Sequence, residues 1–215
     1  VEPDLLYVSL AFDLIALLLG FLIDWTVALA LFIYGFMSKT YSHPKIRLKK
    51  RPIVSWLGVG IFQGAFIFLL VQYAVTAVPW RGLITVETLI PAALCSLYLW
   101  ASYPMTQIYQ HDEDRRHGDL TLSMMLGIRG TFIFTAVCFT LVTAGFASFF
   151  YFYHDAYRAA LFALCLALVA GYFLLWMKRV FHDTAEADFT STMRLNLLSS
   201  TAMNVFCLLF YLMGK

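Results

Sequence analysis

Residues 107–130 read QIYQHDEDRRHGDLTLSMMLGIRG, and this stretch decides how the chain is read. It is the most polar segment in a sequence that is apolar almost everywhere else. Its first half crowds Gln110, Asp112, Glu113, Asp114 and Asp119 together with Arg115, Arg116, His111 and His117. Carboxylates grouped at the end of an apolar helix suit a divalent cation. Mg²⁺ takes carboxylate oxygens, keeps several waters and bridges to substrate phosphates. Gln110 and Asp114 are four apart and share a face if the segment is helical, whereas Asp112 points about 160° away from Asp114. The plain alternative is a solvated loop between two membrane helices.

The rest of the composition fixes the environment. Of 215 residues 61% are hydrophobic and 13% charged, with a mean hydropathy of +0.77. Soluble domains carry about 25% charged residues, so the chain is expected to be an all-α integral membrane protein. Seven apolar segments fall at about 5–20, 24–40, 53–78, 84–109, 130–152, 158–180 and 193–213, near the length a membrane-spanning helix needs. Helices are assigned because backbone groups in lipid must be paired within the segment, and the runs do not alternate as barrel strands do. No signal peptide is recognised. The four cysteines, Cys95, Cys138, Cys165 and Cys207, lie in apolar runs without C-x-x-C spacing and are read as buried small hydrophobes. The histidines lack metal-ligand spacing.

Basic residues divide unevenly between the two sets of loops. Lys39, Lys45, Arg47, Lys49, Lys50, Arg51, Arg115, Arg116, Arg129, Lys178, Arg179 and Arg194 fall on one side, and only Arg81, Arg158 and Lys215 on the other. The positive-inside rule then places the basic loops, with the 107–130 stretch, in the cytoplasm. Trp80, Tyr151, Tyr153 and Tyr157 gather at the opposite interface. Within the first segment Asp13 either faces a partner or cavity or lies near the headgroups. Gly58, Gly60 and Gly64 are read as close-packing positions between helices. The acidic loop at 182–189 reads as solvated, with a place on a substrate rim as the alternative.

The loop at 41–52, YSHPKIRLKKRP, is the second informative stretch. Topology alone accounts for a basic cytoplasmic loop. Its Arg and Lys side chains also suit a diphosphate, Arg through bidentate geometry and Lys as a point charge.

Two patterns carry a family resemblance. Asp114, Arg115, Arg116, Gly118 and Thr121 resemble the second aspartate-rich motif of the UbiA superfamily of membrane prenyltransferases, D-x-x-x-D followed by a basic pair, Gly and a Thr-containing turn. Gln110 stands where many members have the first Asp. Tyr41, Ser42, Pro44, Arg47 and Lys49 resemble a segment that these enzymes carry between their fourth and fifth helices. The resemblance implies a helical bundle transferring a prenyl group from a prenyl diphosphate to a lipophilic, often aromatic, acceptor with Mg²⁺ as cofactor. It implies Asp114 as metal ligand with Asp112 and Glu113 as further carboxylates. Gln110 would position a metal-bound water or the diphosphate, with Asp114 and Glu113 beside it in the catalytic set. Arg47, Lys49, Lys45, Tyr41 and Arg115 would hold the diphosphate. The partners expected are these substrates and the bilayer of a prokaryotic inner membrane, with no nucleic acid.

The family plan has nine helices and two acidic motifs. Laid on it, residues 1–215 form a single transmembrane domain corresponding to helices three to nine. Two helices and the first motif, N-D-x-x-D, are expected upstream, and the 215 residues alone are expected to be inactive. The opposing class is a non-enzymatic seven-helix receptor or transporter. Against it, no helix carries an internal Lys suited to a retinal Schiff base, and the polar residues concentrate in loops.

Overall fold

A computed structural model describes residues 3–43, 48–76 and 78–214. The described residues are helical with short connections. In order they form α1 (Pro3–Ile23), α2 (Trp25–Ser42), a 3₁₀ turn (Leu48–Lys50), α3 (Pro52–Val59), a π-helical turn (Gly60–Phe66), α4 (Ile67–Thr76), α5 (Trp80–Leu83) and α6 (Val86–Ser102). A 3₁₀ run (Tyr103–Gln110), α7 (His111–Arg116), α8 (Leu122–Tyr153), α9 (Ala156–His182), a 3₁₀ turn (Thr184–Glu186) and α10 (Phe189–Met213) follow. Each of the seven apolar segments coincides with a long helical stretch. Among the described residues five spans are long and apolar enough to cross a membrane: Leu5–Ile23, Pro52–Thr76, Leu122–Tyr153, Ala156–His182 and Phe189–Met213. The molecule is a multi-pass helical membrane protein.

The boundaries follow local chemistry. Asp24 caps α2 by accepting from Thr26 N at 2.7 Å, Asp155 caps α9 through Arg158 N at 2.7 Å, and Asp188 caps α10 through Ser191 N at 2.6 Å. Each carboxylate satisfies a backbone donor that a helix start leaves open. The cut after the first segment therefore falls at Asp24, and α1 runs on through Gly20 to Ile23. The helix expected over 84–109 ends as an α-helix at Ser102. Pro104 has no N–H for the ladder, and the chain tightens into the 3₁₀ run. The segment expected from 130 starts earlier, at Leu122, and kinks at Gly127, whose φ of +68° an L side chain rarely adopts.

Packing divides the bundle. α8, α9 and α10 share the larger core, in which Phe132, Phe162, Trp176, Val180 and Phe206 are buried. Trp176 meets Phe132 edge-on at 4.8 Å, and its indole N–H donates to Glu186 O at 2.8 Å. The span from α3 to α4 packs on α6 through two of its three glycines. A Cβ on Gly60 would lie 2.0 Å from the Trp100 ring, and one on Gly64 would lie 2.6 Å from the Ser96 backbone. Gly58 differs from the close-packing expectation, because a Cβ there would have no neighbour within 4 Å. Asp13 has a partner: it pairs with Lys39 across the α1–α2 hairpin. The four cysteines are free thiols, but less buried than expected: Cys95, Cys138 and Cys165 are half-buried, Cys165 against the larger core, and Cys207 is exposed.

Gly64→Ala is expected to lower stability by about 1–3 kcal/mol, since backbone must shift to admit the methyl group. Gly171→Ala in α9, where a Cβ meets nothing within 4 Å, should be neutral or stabilising by up to about 1 kcal/mol. Unfolding in detergent by heat or denaturant reads both.

Candidate functional site

The acidic stretch is held by the end of α7. Gly118, at φ +66°, closes that helix in a Schellman turn. Gly118 N donates to Arg115 O at 3.1 Å and Asp119 N to Asp114 O at 2.9 Å. The turn folds the chain back so that Asp119 is buried, at 3% exposure, close to Asp114 at 2%. Thr121 then caps α8 through Met124 N at 3.4 Å.

Beneath α7 lies a buried polar network. Gln107 Oε1 accepts from Ser123 N at 3.3 Å, and Ser123 Oγ lies 2.8 Å from His111 Nε2 and 3.1 Å from Thr131 Oγ1. Thr131 Oγ1 also donates to Gly127 O at 2.8 Å, joining the network to the kink. Burial pushes the His111 imidazole below its ordinary range, with the Asp114 carboxylate opposing that shift.

Lys49 joins the two polar stretches. Its Nζ donates to Asp114 Oδ1 at 2.6 Å from the 3₁₀ turn Leu48–Lys50. Asp114 Oδ2 is buried and has no hydrogen-bond partner among the described residues. The Tyr41 hydroxyl, at the end of α2, bonds to that of Tyr103 and lies within electrostatic reach of Asp114 and Asp119. A cleft of about 140 Å³ opens beside this pair between α2 and α3, lined among others by Tyr34, Ser38, Phe62 and Gln63.

Asp114, Lys49 and Tyr41 thus meet at one end of the bundle. Lys45 and Arg47 lie outside the described residues. Asp112 is 86% exposed and pairs with Arg115 at 3.6 Å, and Glu113 and Arg115 are also exposed, away from the buried side of Asp114. Gln110 does not share one continuous α-helix with Asp114. It ends the 3₁₀ run, half-buried, and its Nε2 donates to Tyr109 Oη at 3.0 Å. Spacing alone does not single out Gln107, Tyr103, Asp119 or Ser123. The H-G-D sequence, with Gly ready for a left-handed cap, is the signal that points to Asp119.

Among the described residues no group of three or more His, Cys, Asp or Glu side chains is arranged to hold a metal. Mg²⁺ is commonly held by one or two carboxylates with substrate phosphates completing the shell. A buried, unpartnered carboxylate oxygen such as Asp114 Oδ2 fits one such position.

These features define a class: a multi-pass helical membrane protein with a paired acid and base at one end of the bundle, next to a cleft. The model of the UbiA prenyltransferase family matches residues 3–198, and the chain belongs to that family. No curated protein and no solved structure matches it. Membership implies a prenyltransferase that works on prenyl diphosphate and lipophilic substrates in the membrane.

Replacing Gln107 by Leu keeps the volume but leaves the fully buried Ser123 N–H without its acceptor. A loss of about 1–3 kcal/mol is expected. It should appear as a lower unfolding midpoint that Gln107→Glu, which keeps an acceptor oxygen, restores in part.

Proposed function

We propose that the protein transfers a prenyl group from a prenyl diphosphate to an aromatic acceptor in a Mg²⁺-dependent reaction at the Lys49–Asp114 end of the bundle. The observation that carries the reading is the contact between these two residues. A basic loop and an acidic motif distant in sequence meet at a buried carboxylate whose second oxygen has no partner among the described residues. A diphosphate ester needs positive charge on its leaving oxygens and an anchor for the accompanying cation, and this contact brings both elements together.

In this reading Asp114, with its unpartnered carboxylate oxygen, would hold Mg²⁺. Bound there, the ion supplies Lewis-acid neutralisation of the leaving diphosphate. Lys49 releases Asp114 as the diphosphate arrives and donates to its oxygens, with Lys45, Arg47 and Arg115 completing the anion site. Tyr41 donates its hydroxyl at the edge of the same site, and Gln110 orients a water or a diphosphate oxygen. Asp112 and Glu113 stand outside, where they attract the cation from solution. The apolar walls keep water from the allylic carbon as it gains positive charge. In this reading the membrane is a prokaryotic inner membrane and this end faces the cytoplasm, which the excess of basic residues in its loops supports.

The test uses membranes carrying the protein expressed from its complete coding sequence, supplied with Mg²⁺, prenyl diphosphates of several lengths and pooled aromatic acceptors. Asp114→Asn is expected to lower product formation by a factor on the order of 10²–10³, the size of a lost electrostatic contact in a transition state. Asp112→Asn should stay within a few-fold of wild type. Equal losses in the two variants, or no prenylated product from wild type, would overturn the reading.

A further inference from the structure

The cleft between α2 and α3 contains groups that the site chemistry does not use. It lies against the π-helical turn Gly60–Phe66, and π turns inside α-helices recur at functional sites. The turn is maintained by specific contacts. Gly60 makes room for the Trp100 ring, Gly64 admits the Ser96 backbone, and Ser96 Oγ accepts from Ala65 N at 3.0 Å. Gln63 projects from this turn into the cleft, exposed, with no hydrogen-bond partner among the described residues. One turn earlier Gly58 lines the same cleft, and a Cβ there would meet nothing within 4 Å. The far end of the cleft reaches Tyr41 and Tyr103, beside the Lys49–Asp114 pair.

We infer that this cleft seats the ring of the aromatic acceptor and that Gln63 reads a hydroxyl or carbonyl substituent on that ring. The inference rests on the function proposed above. Two features distinguish the acceptor from the prenyl tail as occupant. Hydrocarbon offers nothing to the Gln63 amide or to the Tyr34 and Ser38 hydroxyls, and polar groups set against hydrocarbon without a partner are costly. The volume of about 140 Å³ also lies below the roughly 300–1,000 Å³ typical of sites for larger ligands. An amide both donates and accepts, so Gln63 can bond a phenol or a quinone. Phe62 gives the ring an apolar face, and Gly58 keeps the space open.

The experiment measures equilibrium binding of 1-naphthol and of naphthalene to the protein, expressed from its complete coding sequence and held in phosphatidylcholine vesicles. Partition into protein-free vesicles is subtracted, and farnesyl diphosphate binding is followed in parallel. Wild type is expected to prefer 1-naphthol by about tenfold, the size of one net hydrogen bond. Gln63→Leu should bring the ratio close to one, and Gln63→Glu should restore part of it. Gly58→Leu, which fills open space, should abolish binding of both ring compounds. Farnesyl diphosphate should bind all variants as it binds wild type. Unchanged naphthol preference in Gln63→Leu, wild-type ring binding in Gly58→Leu, or loss of farnesyl diphosphate in either would overturn the inference. Ring binding as expected without prenyl transfer would fail the proposed function and leave the cleft standing. Prenyl transfer with these variants behaving as wild type would do the reverse.

Discussion

A buried carboxylate has to be paired, and the Lys49 end of this bundle is arranged around that requirement. Leaving Asp114 ionised and unpartnered at 2% exposure would cost several kcal/mol. Among the described residues Lys49 supplies the counter-charge, on one of the two oxygens. The carboxylate reaches its buried position because α7 is a short helix, closed by Gly118 and seated on the Gln107–Ser123–His111 network. These supports hold the one acidic side chain of α7 that is buried. The same geometry explains why Asp112 and Glu113, two and one residues away, stay in solvent: a helix that buries Asp114 turns them outward.

This arrangement links structure to chemistry through charge. A carboxylate already carrying a lysine is nearly neutral as a pair, which is an acceptable resting state in a membrane protein. It is also a state in which both partners can be re-used, because an arriving anion competes for the lysine while its accompanying cation competes for the carboxylate. Under the proposed function, neither charge is left uncompensated as the partners change.

The seven helical stretches are legible in the sequence because a bilayer demands long apolar runs and tolerates few alternatives. Asp114 is legible because its neighbours Arg115, Arg116, Gly118 and Thr121 form a pattern. What spacing does not show is depth. It puts Gln110 and Asp114 on one helix face, but Pro104 diverts the chain into a 3₁₀ run, and periodicity assumes an unbroken helix. Lys49 is one of six cations in or beside its loop, and charge alone does not separate it from Lys50. The resemblance along residues 41–49 includes it, and the fold adds what the pattern does not show, its contact with Asp114. The π turn is also invisible, because Gly60 and Gly64 reveal their purpose only against Trp100 and Ser96. Gly58 looks the same in sequence and does something different in space.

The shape of the cleft follows from how α2 is attached. In lipid, apolar surface gains little by meeting other apolar surface, so helices are held by close packing and by polar links. The first half of α2 packs Val27 and Ala30 against Leu70 of α4, and Thr26 donates to Tyr73 Oη at 2.8 Å. At the other end the Tyr41–Tyr103 bond ties α2 to the 3₁₀ run. Between these two attachments stand Tyr34, Met37 and Ser38 on α2, facing Val54 and Gly58 on α3. No large side chain at position 58 closes the gap. The helix is therefore pinned at both ends and held off its neighbour in between, and that is what keeps an open, partly polar space next to the Lys49–Asp114 ion pair.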